Sequence, residues 1–497
     1  MSADHLILGL ATALSWSNLF HCFAGVTLGT LVGVLPGIGA LATISLLLPI
    51  TFHLEPTAAI VMLAGVFYGS TYGGSTASIL LNLPGTPSAA VTCLDGYPMA
   101  RQGRAGVALL MTTVASFVGA TIGIAIMMLF SPLIVEAALQ FASAEYFSMM
   151  LLGLVAASTV SAGAPAKGIA MVVLGVLLGC IGTDVSTGTP RFTFGIPGLY
   201  DGLSLVALAM GLFGVSEVIA SVRGLKRAQI DRKDISFRAM VPTRDDVRRS
   251  WRPSLRGAGI GSFFGALPGT GGVIAAFMAY AVEKKLAKDP SRFGNGAIEG
   301  IMAPEASNNA ADQTAFIPTL TLGIPGNVVM AIMIGALMIH GIAPGPLLMA
   351  EQPSLFWGLV MSFWIGNLML LVLNIPMIGV WIRVLAVPYH LLYPAVLMFV
   401  CIGVYSISNN AFDVILVMVC GAAGYGMRLL QFQPAPLLLG FVLGPMMEEN
   451  LRRTLQLSRG SFMTLVERPI SGAFIAVTAA LLAWAIWNTL RRPAAVR

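Results

Sequence analysis

Long apolar stretches without a single charge constrain this chain more than any other feature. Leu109–Leu133, Trp357–Trp381 and Ile470–Leu490 contain no Asp, Glu, Lys or Arg. Roughly 20 apolar residues are enough for a helix to cross a bilayer. Lipid offers the backbone no hydrogen bonds, so a spanning segment must be a helix or part of a closed barrel. The two-residue alternation of barrel strands is absent, which leaves helices. Charged residues make up only 10% of the chain against 57% hydrophobic. Soluble domains carry about 25% charged residues, so lipid is the solvent for most of this one. The sequence reads as an all-α polytopic membrane protein.

The formal net charge of +6 reflects membrane topology. Its basic residues sit in short loops, as the positive-inside rule describes, and no nucleic-acid partner is implied. Cys22, Cys93, Cys180, Cys401 and Cys420 lie far apart in apolar runs. That spacing indicates neither a disulfide framework nor a metal site. The five histidines do not cluster, and HExxH, GxSxG, Walker A and dinucleotide-binding patterns are all missing. An enzyme reading therefore lacks a motif, and no cofactor is expected. The N-terminus, MSADHLILGL, lacks a basic n-region and reads as retained.

One hydrophilic segment divides the chain. Residues 223–256 hold eleven Lys and Arg, which places this linker in the cytoplasm. It separates a first membrane unit, 1–222, from a second, 257–497, which includes a C-terminal helix. The two units repeat. Residues 25–39 read GVTLGTLVGVLPGIG, and residues 257–271 read GAGIGSFFGALPGTG. Five glycines and one proline coincide at an offset of 232 positions. A second pair follows at an offset of 241: ILLNLPGT at 79–86 and LTLGIPGN at 320–327. The extra residues fall in the charged patch Glu283–Arg292.

The chain is thus broken four times, at Pro36-Gly37, Pro84-Gly85, Pro268-Gly269 and Pro325-Gly326. A break at membrane depth survives only when buried in protein or lining a wet cavity. Paired interruptions in two halves are the best sequence pointer to the substrate site of a secondary transporter. Gly39 and Gly271 complete the first pair of breaks, which are read as structural supports. Helices are expected near 57–70, 75–84, 87–98, 257–268, 271–287, 296–307 and 311–324, several too short to span and so half-helices or re-entrant arms. Thr86 before Pro87, and Asn327 after Gly326, read as N-caps. Each new helix would aim N–H groups and a positive dipole end into the cavity, a site for a carboxylate that needs no Arg or Lys.

The polar residues near the breaks fit that reading. Ser75, Thr76 and Asn82 lie before the first carboxylate-binding tip, and Asn308, Asn309 and Thr321 before the second. Hydrogen bonds between helices are their ordinary role in membranes; as two clusters beside Pro-Gly breaks they are candidate substrate or Na⁺ ligands. Glu305 and Asp312 lie in a stretch, Phe293 to Ile382, without Lys or Arg. Intramembrane acids are costly and usually functional. These two are seven apart, on one face of a helix, and are candidates for ion coupling. Asp95, in Asp95-Gly96-Tyr97-Pro98, reads as a turn cap.

The chain resembles the large membrane subunit of the tripartite tricarboxylate transporters, the TctA type. The resemblance rests on GTLVGVLPGIGALATISLLLPITF at 29–52, YGGSTASILLNLPGTPSAAVTCLDGYPMA at 72–100 and APEASNNAADQTAFIPTLTLGIPGN at 303–327. It covers nearly the whole chain. It implies a three-part importer in the bacterial inner membrane. A subunit like this one translocates substrate, a small membrane subunit of about four helices assists it, and a periplasmic binding protein delivers the substrate. The implied substrates are tri- and dicarboxylates and related organic acids, moved with a Na⁺ or H⁺ gradient. A passive anion channel and a membrane-embedded enzyme without a recognisable motif are the alternatives. The basic linker and the N-terminus free of Lys and Arg predict that the two units are inverted relative to each other.

Overall fold

Helix is the form in which an apolar backbone satisfies itself, and it dominates here. A computed structural model describes residues 3–35, 39–160, 165–184, 187–221, 239–267, 271–384, 394, 397–398, 400–402, 404–405 and 409–491. Pro36, Gly37, Pro268, Gly269 and linker positions 223–238 lie outside the described residues. The first half comprises α1 (Ala3–Ala13), α2 (Trp16–Val34), α3 (Gly39–Thr51), α4 (Pro56–Leu81), α5 (Thr92–Met99), α6 (Ala105–Ala138), α7 (Ser143–Val160) and α8 (Pro165–Gly179). A short antiparallel ribbon follows, β1 (Gly182–Thr183) with β2 (Pro190–Arg191). Then come α9 (Leu205–Ala209) and α10 (Ser216–Ser221), joined by a π-helical turn.

The second half contains α11 (Arg244–Ala266), α12 (Gly271–Leu286), α13 (Glu299–Thr314), α14 (Phe316–Thr321), α15 (Val328–Ile339), α16 (Leu348–Glu351), α17 (Pro353–Asn374) and α18 (Ile378–Val384). Helices Ala411–Leu429, Pro434–Leu457, Thr464–Glu467 and Pro469–Arg491 complete it. Among the described residues, Trp16–Val34, Thr92–Ala138, Pro353–Asn374, Ala411–Leu429 and Pro469–Trp487 are long and apolar enough to cross a bilayer. The chain is an all-α, multi-pass membrane protein.

Several expected boundaries move. The two helices expected over 57–70 and 75–84 are one continuous helix, α4, which runs through Tyr72-Gly73-Gly74-Ser75 and ends at Leu81. Those glycines do not end the helix because they serve packing. A methyl added at Gly73 would strike the Thr30 carbonyl oxygen, and one at Gly74 would sit 2.9 Å from Thr86 Oγ1. Helix α11 begins at Arg244 rather than 257, so it takes in the end of the linker. Thr243 caps it in a reciprocal box with Asp246. Burial opposes the charge of Asp246, yet Arg104 and Thr243 hold its carboxyl below the usual carboxylate range. The N-terminal helix α1 and the β-ribbon were not anticipated.

The repeated glycines form two matching contacts. Side chains added at Gly25, Gly29 and Gly33 of α2 would strike the carbonyls of Met62, Val66 and Ser70 of α4. Added at Gly257, Gly261 and Gly265 of α11, they would strike those of Ala303, Ser307 and Ala311 of α13. Contacts advance by four residues on both helices of each pair, so each pair runs parallel. This is small-residue packing, which lets helices approach until their backbones touch.

Two ends of the molecule can be told apart. At one, the start of α9 meets the end of α15, where Leu205 lies against Gly335, and α3 packs on both. At the other, Gln102 donates to the Asn295 carbonyl at 2.9 Å and Arg104 pairs with Asp246 at 2.6 Å. From α4 through the first break to α5 the chain runs from the first end to the second. From α13 through the second break to α15 it runs the opposite way. Helix α12 lies against residues 87–90, as α3 lies against α15.

Candidate functional site

The polar heart of the molecule is α13. Every residue from Gly300 to Thr314 is buried, including Glu305, Ser307, Asn308, Asn309, Asp312 and Gln313. Burying polar groups costs free energy unless each finds a partner. Some do. Thr71 of α4 donates to Asp312 Oδ2 at 2.6 Å. Thr92 of α5 donates to Glu305 Oε1, and Ser116 of α6 donates to its Oε2 at 3.4 Å. Ser75 and Asn308 also border Glu305. Asn309 donates to Asn308 Oδ1 at 2.8 Å. Others do not: Ser307 Oγ, Asn308 Nδ2, Asn309 Oδ1 and Gln313 Oε1 are buried without a hydrogen-bond partner. Among the described residues neither Glu305 nor Asp312 pairs with Lys or Arg. Two acids and four unpartnered polar atoms on one enclosed helix are more than packing requires.

Both described breaks sit next to this helix. In the first, Asn82 ends α4 in the left-handed conformation with φ 55°. A side chain at Gly85 would strike Gly33 O and sit 2.7 Å from the Cα of Gly74. Gly85 is buried, while Asn82 and Pro84 are exposed. In the second break Gly323, the counterpart of Asn82, has φ 69°. Pro325 and Gly326 are buried, and a side chain at Gly326 would meet Ala315 at 3.3–3.4 Å. Gly39 and Gly271, which open α3 and α12, have φ 64° and 63°. Gly271 lies beside Asn327.

The expected caps are realised unequally. Asn327 accepts from the Met330 N–H at 3.0 Å and starts a genuine α-helix. Thr86 precedes only a four-residue 3₁₀ turn, Pro87–Ala90, and makes no capping bond. Its hydroxyl instead faces Ser88 at 3.2 Å. Thr321 bonds back to Ile317 O at 2.7 Å, as a helix-stabilising hydroxyl does. Thr76 is buried on α4. Asp95 does not cap its own turn. It lies inside α5 and accepts from the backbone N–H groups of Gly294, Gly296 and Ala297 at 2.8–2.9 Å, and from the Tyr280 hydroxyl at 3.0 Å.

Thr92 and Ser116 are missing from the expected set, because a hydroxyl in an apolar helix carries no signal of its own. Thr71 had one: it lies 241 positions before Asp312, the offset of the second repeated motif.

The profile of the family described as "Tripartite tricarboxylate transporter TctA family" matches residues 19–439. An uncharacterized 52.8 kDa protein in the TAR-I ttuC' 3'region of Agrobacterium vitis is 47% identical over 488 residues, 98% of this chain and 97% of that protein. An uncharacterized protein in the TAR-II ttuC' 3'region of the same organism is 50% identical over 231 residues, 46% of this chain and 96% of that protein. No solved structure matches the chain.

Proposed function

The chain belongs to the tripartite tricarboxylate transporter TctA family, and from that premise we propose that it is the translocating membrane subunit of a binding-protein-dependent secondary importer. Its substrates are tri- or dicarboxylates or related organic acids, and a Na⁺ or H⁺ gradient drives it. Its partners are a small membrane subunit and a periplasmic binding protein, and it sits in the bacterial inner membrane.

The observation that carries this reading is the Thr71–Asp312 hydrogen bond of 2.6 Å. These residues lie eight positions before the two copies of the second repeated motif and are counterparts at its offset of 241. A residue can touch its own counterpart only near the axis that relates two copies. The opposite chain directions of α4–α5 and α13–α15, and the reciprocal packing of α12 on 87–90 and α3 on α15, support the same two-fold relation. The two units are inverted repeats about an axis in the membrane plane, as in many secondary transporters. Helices α2–α3 and α11–α12 are their re-entrant arms, turning at Gly39 and Gly271.

The substrate site lies between the Pro84-Gly85 and Pro325-Gly326 tips. The second tip is better built for a carboxylate, since Asn327 starts a twelve-residue helix whose N-terminus favours an anion. Ser75, Asn308 and Asn309 supply hydrogen bonds nearby. The acids occur in one copy only. Asp312 faces Thr71, and the first-unit counterpart of Glu305 is Ala64. Coupling is therefore assigned to the second unit, with Glu305 and Asp312 as the ion or proton ligands.

Uptake of a tricarboxylate into proteoliposomes holding the assembled system tests this. Accumulation should require a Na⁺ or H⁺ gradient and stop when the gradient is collapsed. Equilibration without accumulation under every gradient would make the protein a passive channel.

A further inference from the structure

Asp95 stands outside the proposed site, yet it is among the most fully engaged side chains of the molecule. Its carboxylate is buried and accepts four hydrogen bonds. Oδ1 takes the N–H groups of Gly294, Gly296 and Ala297, and Oδ2 takes the Tyr280 hydroxyl. Gly294 and Gly296 have φ 90° and 97°, so successive N–H groups turn inward into a concavity that binds anions. The anion it holds is the protein's own. Gly300 completes the seat, because a side chain there would strike Asp95 Oδ2.

The same short helix carries Thr92, which donates to Glu305. Thr92 and Asp95 are three residues apart and so share a face of α5. Helix α5 has only eight residues, no side-chain cap and an internal Pro98, and it is followed by a π turn containing Gly103 at φ 75°. Helix α5 packs against α4 and α13, and two hydrogen-bonded contacts with the second unit set its rotation: the clamp at Asp95 and the bond at Thr92.

We propose that Asp95 is a positioning residue, which fills the anion-binding turn at 294–297 and thereby holds α5 so that Thr92 reaches Glu305. Its part in transport rests on the reading of Glu305 as a coupling ligand. An acid with four donors around it has no conservative substitute. Asn would turn an NH₂ group toward donors, and one acceptor oxygen cannot serve both sides of the clamp.

The test needs no substrate. A carbodiimide that enters membranes modifies carboxyl groups in their protonated form, and peptide mass spectrometry of the full-length protein reads the rate at Glu305 and at Asp312 separately. Thr92→Val removes a hydrogen bond that favours the ionised form. It should speed modification of Glu305 about fivefold, the effect of one ordinary hydrogen bond. Asp95→Asn should do the same, and the double variant should go no further than either single one. Asp312, held by Thr71 of α4, should keep its rate, whereas general loosening of the fold would raise both. Tyr280→Phe removes one donor from the clamp and should act in the same direction with smaller size, which keeps the test available if Asp95→Asn does not fold. The proposal is overturned if Thr92→Val acts and the clamp variants do not, if the two effects multiply in the double variant, or if Asp312 accelerates equally. Normal ion coupling in Glu305→Gln would instead refute the coupling role of Glu305 and leave the clamp standing.

Discussion

Asp312 and Thr71 lie 241 positions apart and meet in one hydrogen bond of 2.6 Å, where the proposed coupling role can be tested. Asp312→Asn keeps the size of the side chain and can still accept from Thr71, but removes the charge. Uptake by this variant should persist at reduced rate with an altered dependence on the driving ion. A Na⁺ and pH response identical to that of the native protein would remove Asp312 from coupling. Glu305→Gln should act more severely, because the Glu305 carboxylate gathers donors from α5 and α6. Both acids were legible in the sequence, since a carboxylate in a long stretch without Lys or Arg is costly in a membrane. Their partners were not. Thr92 and Ser116 are ordinary hydroxyls in apolar helices, and only the three-dimensional crossing of α5, α6 and α13 gives them a role. Asp95 was misread for a related reason: Asp-Gly is a common turn signal, and the donors that claim this carboxylate lie about 200 residues away in sequence.

At the scale of elements, glycine is the residue that decides packing, and its two uses can be separated. Gly261 faces the Ser307 backbone, while nothing lies within 4 Å of a side chain placed at Gly259. Gly261→Ala should therefore destabilise the protein by about 1–3 kcal/mol, the usual cost of overpacking. Gly259→Ala should be neutral or slightly stabilising, because alanine is the better helix former. Thermal unfolding of the two purified variants checks the pair, and an equal effect would contradict the α11–α13 contact. The GxxxG spacing marked a repeat in the sequence, and only the structure shows which backbone each glycine row meets. It could not show that Gly73-Gly74 packs inside a continuous α4 rather than ending it, because glycine in sequence does not distinguish close approach from a turn. The Pro-Gly breaks were legible as breaks, but the difference between a capped α-helix after Asn327 and a 3₁₀ turn after Thr86 was not. Both begin with a good capping residue, and which of them bonds depends on how the chain leaves the break.

Across the whole molecule, the fold class followed from charge-free stretches, and the internal repeat from two offsets. The inverted relation between the copies, expected from the basic linker and the N-terminus free of Lys and Arg, is a proposal that chain direction and the Thr71–Asp312 contact support. The inverted arrangement predicts that reporters inserted in the 223–238 linker and near Gly188 of the β-ribbon read out on opposite sides of the membrane; the same side for both would exclude it. The central claim is that the paired tips form the translocation site, and Gly326→Val tests it most directly. A Cβ there already meets Ala315 at 3.3–3.4 Å, and the two γ-methyls of valine add the bulk that fills the tip. Gradient-driven tricarboxylate uptake should be lost while the variant still inserts in the membrane and assembles with its partners. Accumulation with native kinetics in this variant would contradict the account.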